Sequence, residues 1–202
     1  MVYHFMFAPD WEERCRSCSF WADGFPIGVH VNHRDVTLVA ISRAPIEKLE
    51  AFKRRMGWNF KWLSSGNNDF NYDYQVSFTP EALENEVEYN YGKQKTDTSD
   101  LPGVSVFYQD SKGNLFHTYS AYSRGIDILN PAYNYLDLVP KGRDEAELGV
   151  PLSLEPKRTL RADCPNEFFW GIGIAKRPEV ASQDRIVHCE MVASKHVKML
   201  IC

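Results

Sequence analysis

The segment Val2-Tyr3-His4-Phe5-Met6-Phe7, Ala8-Pro9-Asp10-Trp11-Glu12-Glu13-Arg14, Cys15-Arg16-Ser17-Cys18-Ser19-Phe20-Trp21-Ala22-Asp23 decides the fold. It passes from an apolar run through a short polar turn to two cysteines at the head of a helix-like stretch. The apolar run reads as a buried strand. Two thiols separated by two residues can close a small disulfide ring. The first thiol is predicted at the helix start, where unpaired N–H groups and the macrodipole favour the thiolate. A thiolate at neutral pH attacks disulfides, and the second cysteine resolves the mixed disulfide. Strand, turn, Cys-x-x-Cys and helix, in that order, give the motif a redox reading.

Outward from this segment the pattern continues as alternating strands and helices. Val36-Thr37-Leu38-Val39-Ala40-Ile41 is an apolar, β-branched run that predicts a central parallel strand buried on both faces. Pro45 suits a first helical position, Ile46, Leu49, Phe52 and Met56 share a face, and Gly57 suits the position just past the helix end. Glu47 and Glu50 lie early and Lys53, Arg54 and Arg55 late, complementing the dipole. The β-α-β-α order implies a parallel sheet. Trp58 to Tyr74 reads as loops packed through Trp58, Trp62, Phe70 and Tyr72, and Lys93 to Asp100 as an exposed loop. Leu101-Pro102-Gly103 leads into a strand over Val104 to Tyr108, Asp110-Ser111-Lys112-Gly113-Asn114 is a turn, and Leu115 to Tyr119 returns. Ile126 to Leu138 predicts a helix interrupted or restarted near Pro131.

Composition bounds the function. The chain has 202 residues, 44% hydrophobic and 25% charged, which suits one good core. A formal charge of −4 without a basic stripe argues against nucleic acid. No apolar run approaches the roughly 20 residues of a membrane helix. Five cysteines, only two of them closely spaced, are not a disulfide framework. Together with the absence of a secretory signal pattern, this predicts a cytoplasmic, reducing setting, with no membrane or nucleic-acid partner and no cofactor.

A βαβ unit, then a proline just before an antiparallel hairpin, then a helix, is the order of the thioredoxin fold. Leu101-Pro102-Gly103-Val104-Ser105-Val106-Phe107 resembles the thioredoxin segment in which a cis-proline opens a core strand beside the Cys-x-x-Cys. More specifically, the chain resembles the DUF899 family of thioredoxin-like proteins, predicted dithiol-disulfide oxidoreductases. The resemblance is carried by Tyr3 to Phe7, Pro9-Asp10-Trp11, Cys15 to Asp23, His33-Arg34-Asp35-Val36-Thr37, Lys53 to Trp58, Asp69 to Asp73 and Tyr133 to Leu138. It implies an α/β, thioredoxin-like domain over residues 1–145 with a central mixed sheet flanked by helices. Residues 146–202 are set apart as an irregular, divergent tail, from whose Cys164, Cys189 and Cys202 no function is read.

The candidate catalytic residues are therefore Cys15 as attacking and Cys18 as resolving thiol. Trp11, Arg16, Ser17 and Pro102 are the candidate substrate-binding residues. Arg14 and Arg16 flank the first thiol and should lower its pKa, while Glu12 and Glu13 oppose them. Trp11 suits a cover over the site or a core position equally. The Leu101–Pro102 bond is expected cis and beside Cys15, offering backbone groups to an extended substrate. The expected partner is a disulfide-containing protein or small thiol substrate, with homodimerisation left open by an exposed sheet edge.

Three alternatives stand beside this reading. Cys15, Cys18, His30 and His33 nearly have the order of a zinc site, though His-x2-His is shorter than usual and the flanking strands make a finger unnecessary. A peroxiredoxin-like thiol peroxidase would use Cys15, but Pro9 lies six residues before it and Glu12 occupies the place of the expected hydroxyl. A non-catalytic interaction module would use the aromatic stretch from Trp58 to Tyr74 as its surface. Arg124 suits a salt bridge and His117 a packing role more than a catalytic one.

Overall fold

The computed structural model describes residues 1–25 and 28–148. A five-stranded mixed sheet runs in the order Lys61–Ser64 (β3), Val39–Ser42 (β2), Val2–His4 (β1), Gly103–Gln109 (β6) and Leu115–Tyr122 (β7). β1 (Val2–His4) pairs parallel with β2 (Val39–Ser42), which pairs parallel with β3 (Lys61–Ser64). On its other side β1 pairs antiparallel with β6 (Gly103–Gln109), which forms an antiparallel hairpin with β7 (Leu115–Tyr122). The helices are α1 (Arg16–Ala22), α2 (Gly28–Asn32), α3 (Ile46–Met56), α4 (Phe70–Asp73), α5 (Pro80–Leu83), α6 (Pro131–Leu136) and α7 (Glu145–Leu148). A second, two-stranded sheet joins β4 (Val87–Tyr89) to β5 (Gly92–Gln94), and a 3-10 helix spans Ser123–Leu129. No helix among the described residues is long and apolar enough to cross a membrane.

Side chains alternate across a strand, so β1 and its extension divide the core in two. Tyr3, Phe5 and Phe7 face α1, α3 and α6, packing with Cys18, Trp21, Leu49, Phe52, Trp62 and Tyr133. Val2 falls on the other face with Val39, Ile41, Leu63 and Phe70. A third cluster, Val76, Phe78, Val87, Tyr89 and Tyr122, seats the small sheet against the hairpin. Gly103 is where Tyr122 comes close: a Cβ there would lie 2.7 Å from the Tyr122 ring.

Several expectations hold and several shift. The central parallel strand is present, buried at every position of β2, but it begins at Val39 and ends at Ser42. Pro45 is the residue before α3, with extended ψ of 145°, and Gly57 closes that helix in the left-handed region at φ 72°. The turn at Asp110 is built by its own carboxylate, which accepts from the N–H groups of Lys112 and Asn114. The break at Pro131 separates the 3-10 helix from α6, with Asn130 Oδ1 accepting from Ala132 N. Trp58 to Tyr74 is not loop alone, because it contains β3 and α4. Lys93 to Asp100 begins as the second strand of a hairpin and ends in a buried residue, Asp100.

The aromatic side chains of this stretch pack inward, with Trp62 and Phe70 buried and Trp58, Phe60, Tyr72 and Tyr74 partly buried, which weighs against the alternative of a partner surface. Trp62 is 1% exposed and sits 4.6 Å from Phe5, between Phe7, Phe52, Trp58 and Phe60. Its Nε1–H donates to Ser42 Oγ at 3.0 Å, and Ser42 Oγ–H in turn donates to Phe5 O at 2.6 Å. Trp62→Ala is expected to cost about 3–5 kcal/mol by emptying this site, a large share of the 5–15 kcal/mol of a typical domain. Urea unfolding measures it, and Trp62→Phe should recover more than half of the loss.

Candidate active site

The Cys-x-x-Cys lies at the carboxyl end of β1, on the face of the sheet that carries α1. The connecting loop is held at several points. Ala44 N–H donates to Phe7 O at 2.8 Å, and Cys15 N–H to Met6 O at 3.4 Å. Lys48 of α3 reaches back with its ammonium to the carbonyls of Pro9 and Trp11 and lies 5.0 Å over the Phe7 ring. α1 is then anchored by Trp21, whose Nε1–H donates to Ile126 O at 3.2 Å.

Cys15 is the residue before the first turn of α1, with extended backbone, and its side chain caps that turn. Its Sγ accepts from Cys18 N–H at 3.2 Å, and its carbonyl accepts from Ser19 N–H and Ser19 Oγ–H at 3.1 Å each. A cysteine in the place usually taken by Ser, Thr, Asp or Asn presents its sulfur to unpaired N–H donors. Cys15 is half-buried, whereas Cys18 is 2% exposed, and both thiols are free.

The two thiols are driven apart in acidity. The Cys18 S–H beside it holds Cys15 below the ordinary thiol range, helped by the N–H groups of Cys18 and Ser17 and by the charge of Arg14, against the opposing effect of burial. Burial pushes Cys18 well above that range, and the neighbouring Cys15 sulfur adds to the rise. Cys15 is thus the more acidic thiol and Cys18 the less acidic one.

The candidate residues divide. Ser17 contributes through its backbone N–H. Arg14 is buried with its guanidinium 4.6 Å over Phe52, and it is the arginine whose charge acts on Cys15. Arg16 is exposed and turned to Glu13 at 3.5 Å. Trp11 is partly buried and packs on the main core, so its body serves packing. Pro102 precedes Gly103, which pairs with His4, so it sits at the end of β1 nearest the Cys-x-x-Cys.

The expected cis bond is absent: the Leu101–Pro102 peptide is trans. Leu101 N–H donates to Val76 O at 2.9 Å, and Tyr89 Oη–H donates to Pro102 O at 2.6 Å. These partners lead the chain into β6 without a reversal, so the backbone presentation that a cis bond would provide is not built here.

Arg124 pairs with Asp127 and Glu145, each at 2.9 Å, as a salt bridge and not as a cation of the site. His117 lies on β7 with its ring against Tyr74 and Phe107 and its Nε2 2.7 Å from Ser120 Oγ. His30 and His33 are exposed, and among the described residues no group of three His, Cys, Asp or Glu side chains converges as a metal site. Sequence reasoning missed Tyr3 and Tyr89, whose phenols lie close enough to Cys18 to feel its charge. The signal for Tyr3 was present in the alternation Tyr3, Phe5, Phe7, which puts it on the face of the strand that meets the helix.

Over residues 1–162 the chain matches the family described as "Bacterial protein of unknown function (DUF899)". The chain belongs to DUF899. No curated protein and no solved structure matches it. The DUF899 match runs past residue 145, where the resemblance was expected to end. The described part of that extension includes α7, tied to the core by Tyr133 Oη–H donating to Glu145 Oε1 at 2.7 Å. The remaining tail expectation lies outside the described residues.

Proposed function

We propose that this DUF899 protein is a thioredoxin-like thiol–disulfide oxidoreductase acting through Cys15 and Cys18. The observation that carries the reading is the half-buried Cys15 Sγ capping α1, with the Cys18 N–H on it and the Cys18 thiol enclosed behind it. The order of parallel β1 and β2, then Pro102, then the antiparallel β6–β7 hairpin, then helix supports the thioredoxin-like description. Zinc finds no support in the placement of His30 and His33, and a peroxidase lacks the hydroxyl that would position peroxide.

The reaction balances as dithiol exchange. The Cys15 thiolate attacks one sulfur of a substrate disulfide; an S–S bond forms to the protein, the substrate S–S bond breaks, and one substrate thiolate leaves with the electron pair. Cys18 then gives up its proton and attacks Cys15 Sγ. That proton has gone to the first substrate thiolate or to water, and the second substrate sulfur leaves with the bonding pair. The substrate disulfide is reduced to one thiolate and one thiol, and the protein is oxidised to a Cys15–Cys18 disulfide.

Mixing the reduced protein with insulin or a small disulfide tests this. One substrate disulfide should be reduced per protein, with Cys15 and Cys18 recovered as an intramolecular disulfide by mass spectrometry. Alkylation at neutral pH should mark Cys15 well before Cys18. Equal labelling of the two, or substrate reduction that leaves both as thiols, would overturn the proposal.

A further inference from the structure

We propose that Tyr3 is the hydrogen-bond donor that stabilises Cys18 as a thiolate in the resolving step of the dithiol exchange. This rests on the oxidoreductase reading above. Tyr3 is 2% exposed, stands on β1 beneath α1, and packs in the same buried cluster as Cys18, within the influence of its thiol. That hydroxyl is buried and has no hydrogen-bond partner of its own. A buried O–H without a partner costs stability, so its position needs a reason. Tyr89, the other phenol near Cys18, is committed: its hydroxyl donates to Pro102 O at 2.6 Å and accepts from Ser123 N–H at 2.7 Å.

The need for a donor arises only after the first step. While Cys15 is a thiolate, the Cys18 S–H donates to it and there is no reason for Cys18 to ionise. Once Cys15 carries the substrate in a mixed disulfide, its sulfur is neutral and Cys18 must become the charged nucleophile. Cys18 is enclosed, so water cannot solvate that charge. The Met6 N–H and the Tyr3 hydroxyl both favour it there. Tyr3 keeps its proton throughout; the Cys18 proton goes to the first substrate thiolate or, where that thiolate is weakly basic, to water. His4, the next residue, alternates to the opposite face and is committed to Ser105, 2.9 Å from its Nε2.

Tyr3→Phe removes the hydroxyl and keeps the ring, which packs edge-on to Phe5 and Phe25 at 6.1 and 5.3 Å. The reduced protein is mixed with an aromatic disulfide that releases a coloured thiolate at each step. Release by a Cys15→Ser/Cys18→Ser double variant is subtracted to remove Cys164, Cys189 and Cys202. In Tyr3→Phe the first equivalent should appear at the wild-type rate. The second should appear about tenfold or more slowly, the size expected from losing one hydrogen bond to a charged sulfur. Urea unfolding should find the variant at least as stable as wild type. In a Cys15→Ser background, Tyr3→Phe should raise the pH at which Cys18 ionises, followed by thiolate absorbance. An unchanged second phase, an equally slowed first phase, or an unmoved Cys18 titration overturns the inference while leaving the oxidoreductase reading in place. If wild type releases no more than the double variant, the oxidoreductase reading itself fails.

Discussion

Cys15→Ser is expected to lose disulfide exchange by more than about a thousandfold, at least about 4 kcal/mol of barrier. A serine hydroxyl is not ionised at neutral pH and does not attack a disulfide, and among the described residues no second thiol reaches the outside of the site, since Cys18 is enclosed. The fold should survive, because serine is itself a favoured cap and can accept the N–H of Cys18 in place of sulfur. Cys18→Ser should fail differently: it should react once and stop as a stable mixed disulfide on Cys15, which non-reducing electrophoresis and mass spectrometry detect. Turnover that persists in Cys15→Ser, or a Cys18→Ser protein that cycles like wild type, would remove both assignments.

The second large effect is one of pH and belongs to His4. Its ring is 1% exposed, stacked 5.7 Å from both Phe70 and Tyr74. Nε2 shares a hydrogen bond with Ser105 Oγ at 2.9 Å, while Nδ1 is buried without a partner. Ser105 continues to Ser120 at 2.8 Å, and Ser120 to His117 at 2.7 Å, so the buried ring ends a chain of hydrogen bonds that reaches the surface. Burial lowers the pKa of His4 from 6.5 to about 3, with His117 adding to the fall.

The unfolded chain takes up this proton as pH falls through 6.5, while the folded chain refuses it until about pH 3. The stabilisation is therefore complete above pH 6.5 and is progressively lost as pH falls toward 3. The loss should reach about 2 kcal/mol by pH ~5 and about 5 kcal/mol at the acid end. Urea unfolding of wild type and His4→Phe at pH values from ~7.5 to ~5 isolates the effect, since carboxylates contribute little in that window. His4→Phe should lose much less stability across it. Parallel curves for the two proteins would show that His4 is not the acid-sensitive group.

Much of this molecule follows from short stretches of its sequence. α3 is written locally, in apolar residues three and four apart, acidic residues early, basic residues late and Gly57 at the end, because a helix closes its hydrogen bonds within one turn. The Asp110 turn and the restart at Pro131 are local in the same way, as is the placement of Cys15 at a helix start. β2 was legible because a strand buried on both faces is apolar throughout. β3 was not: Lys61–Ser64 is four residues long at a sheet edge, and its strand character comes from pairing with β2.

Only the tertiary structure decided which partners surround the cysteines. The sequence named Arg14 and Arg16 together; the fold buries the first against Phe52 and sends the second to Glu13. It also offered Pro102 as a cis residue, whereas hydrogen bonds from Leu101 to Val76 and from Tyr89 to Pro102 lead a trans chain into β6. Tyr3 and Cys18 come together in one buried cluster, and His4 meets Ser105 from 101 residues away. Neighbours along the chain reveal backbone hydrogen bonding and amphipathic faces, which act over a few residues. The acidity of a thiol or an imidazole depends on burial and on groups brought in by sheet order, and these exist only once the strands have paired.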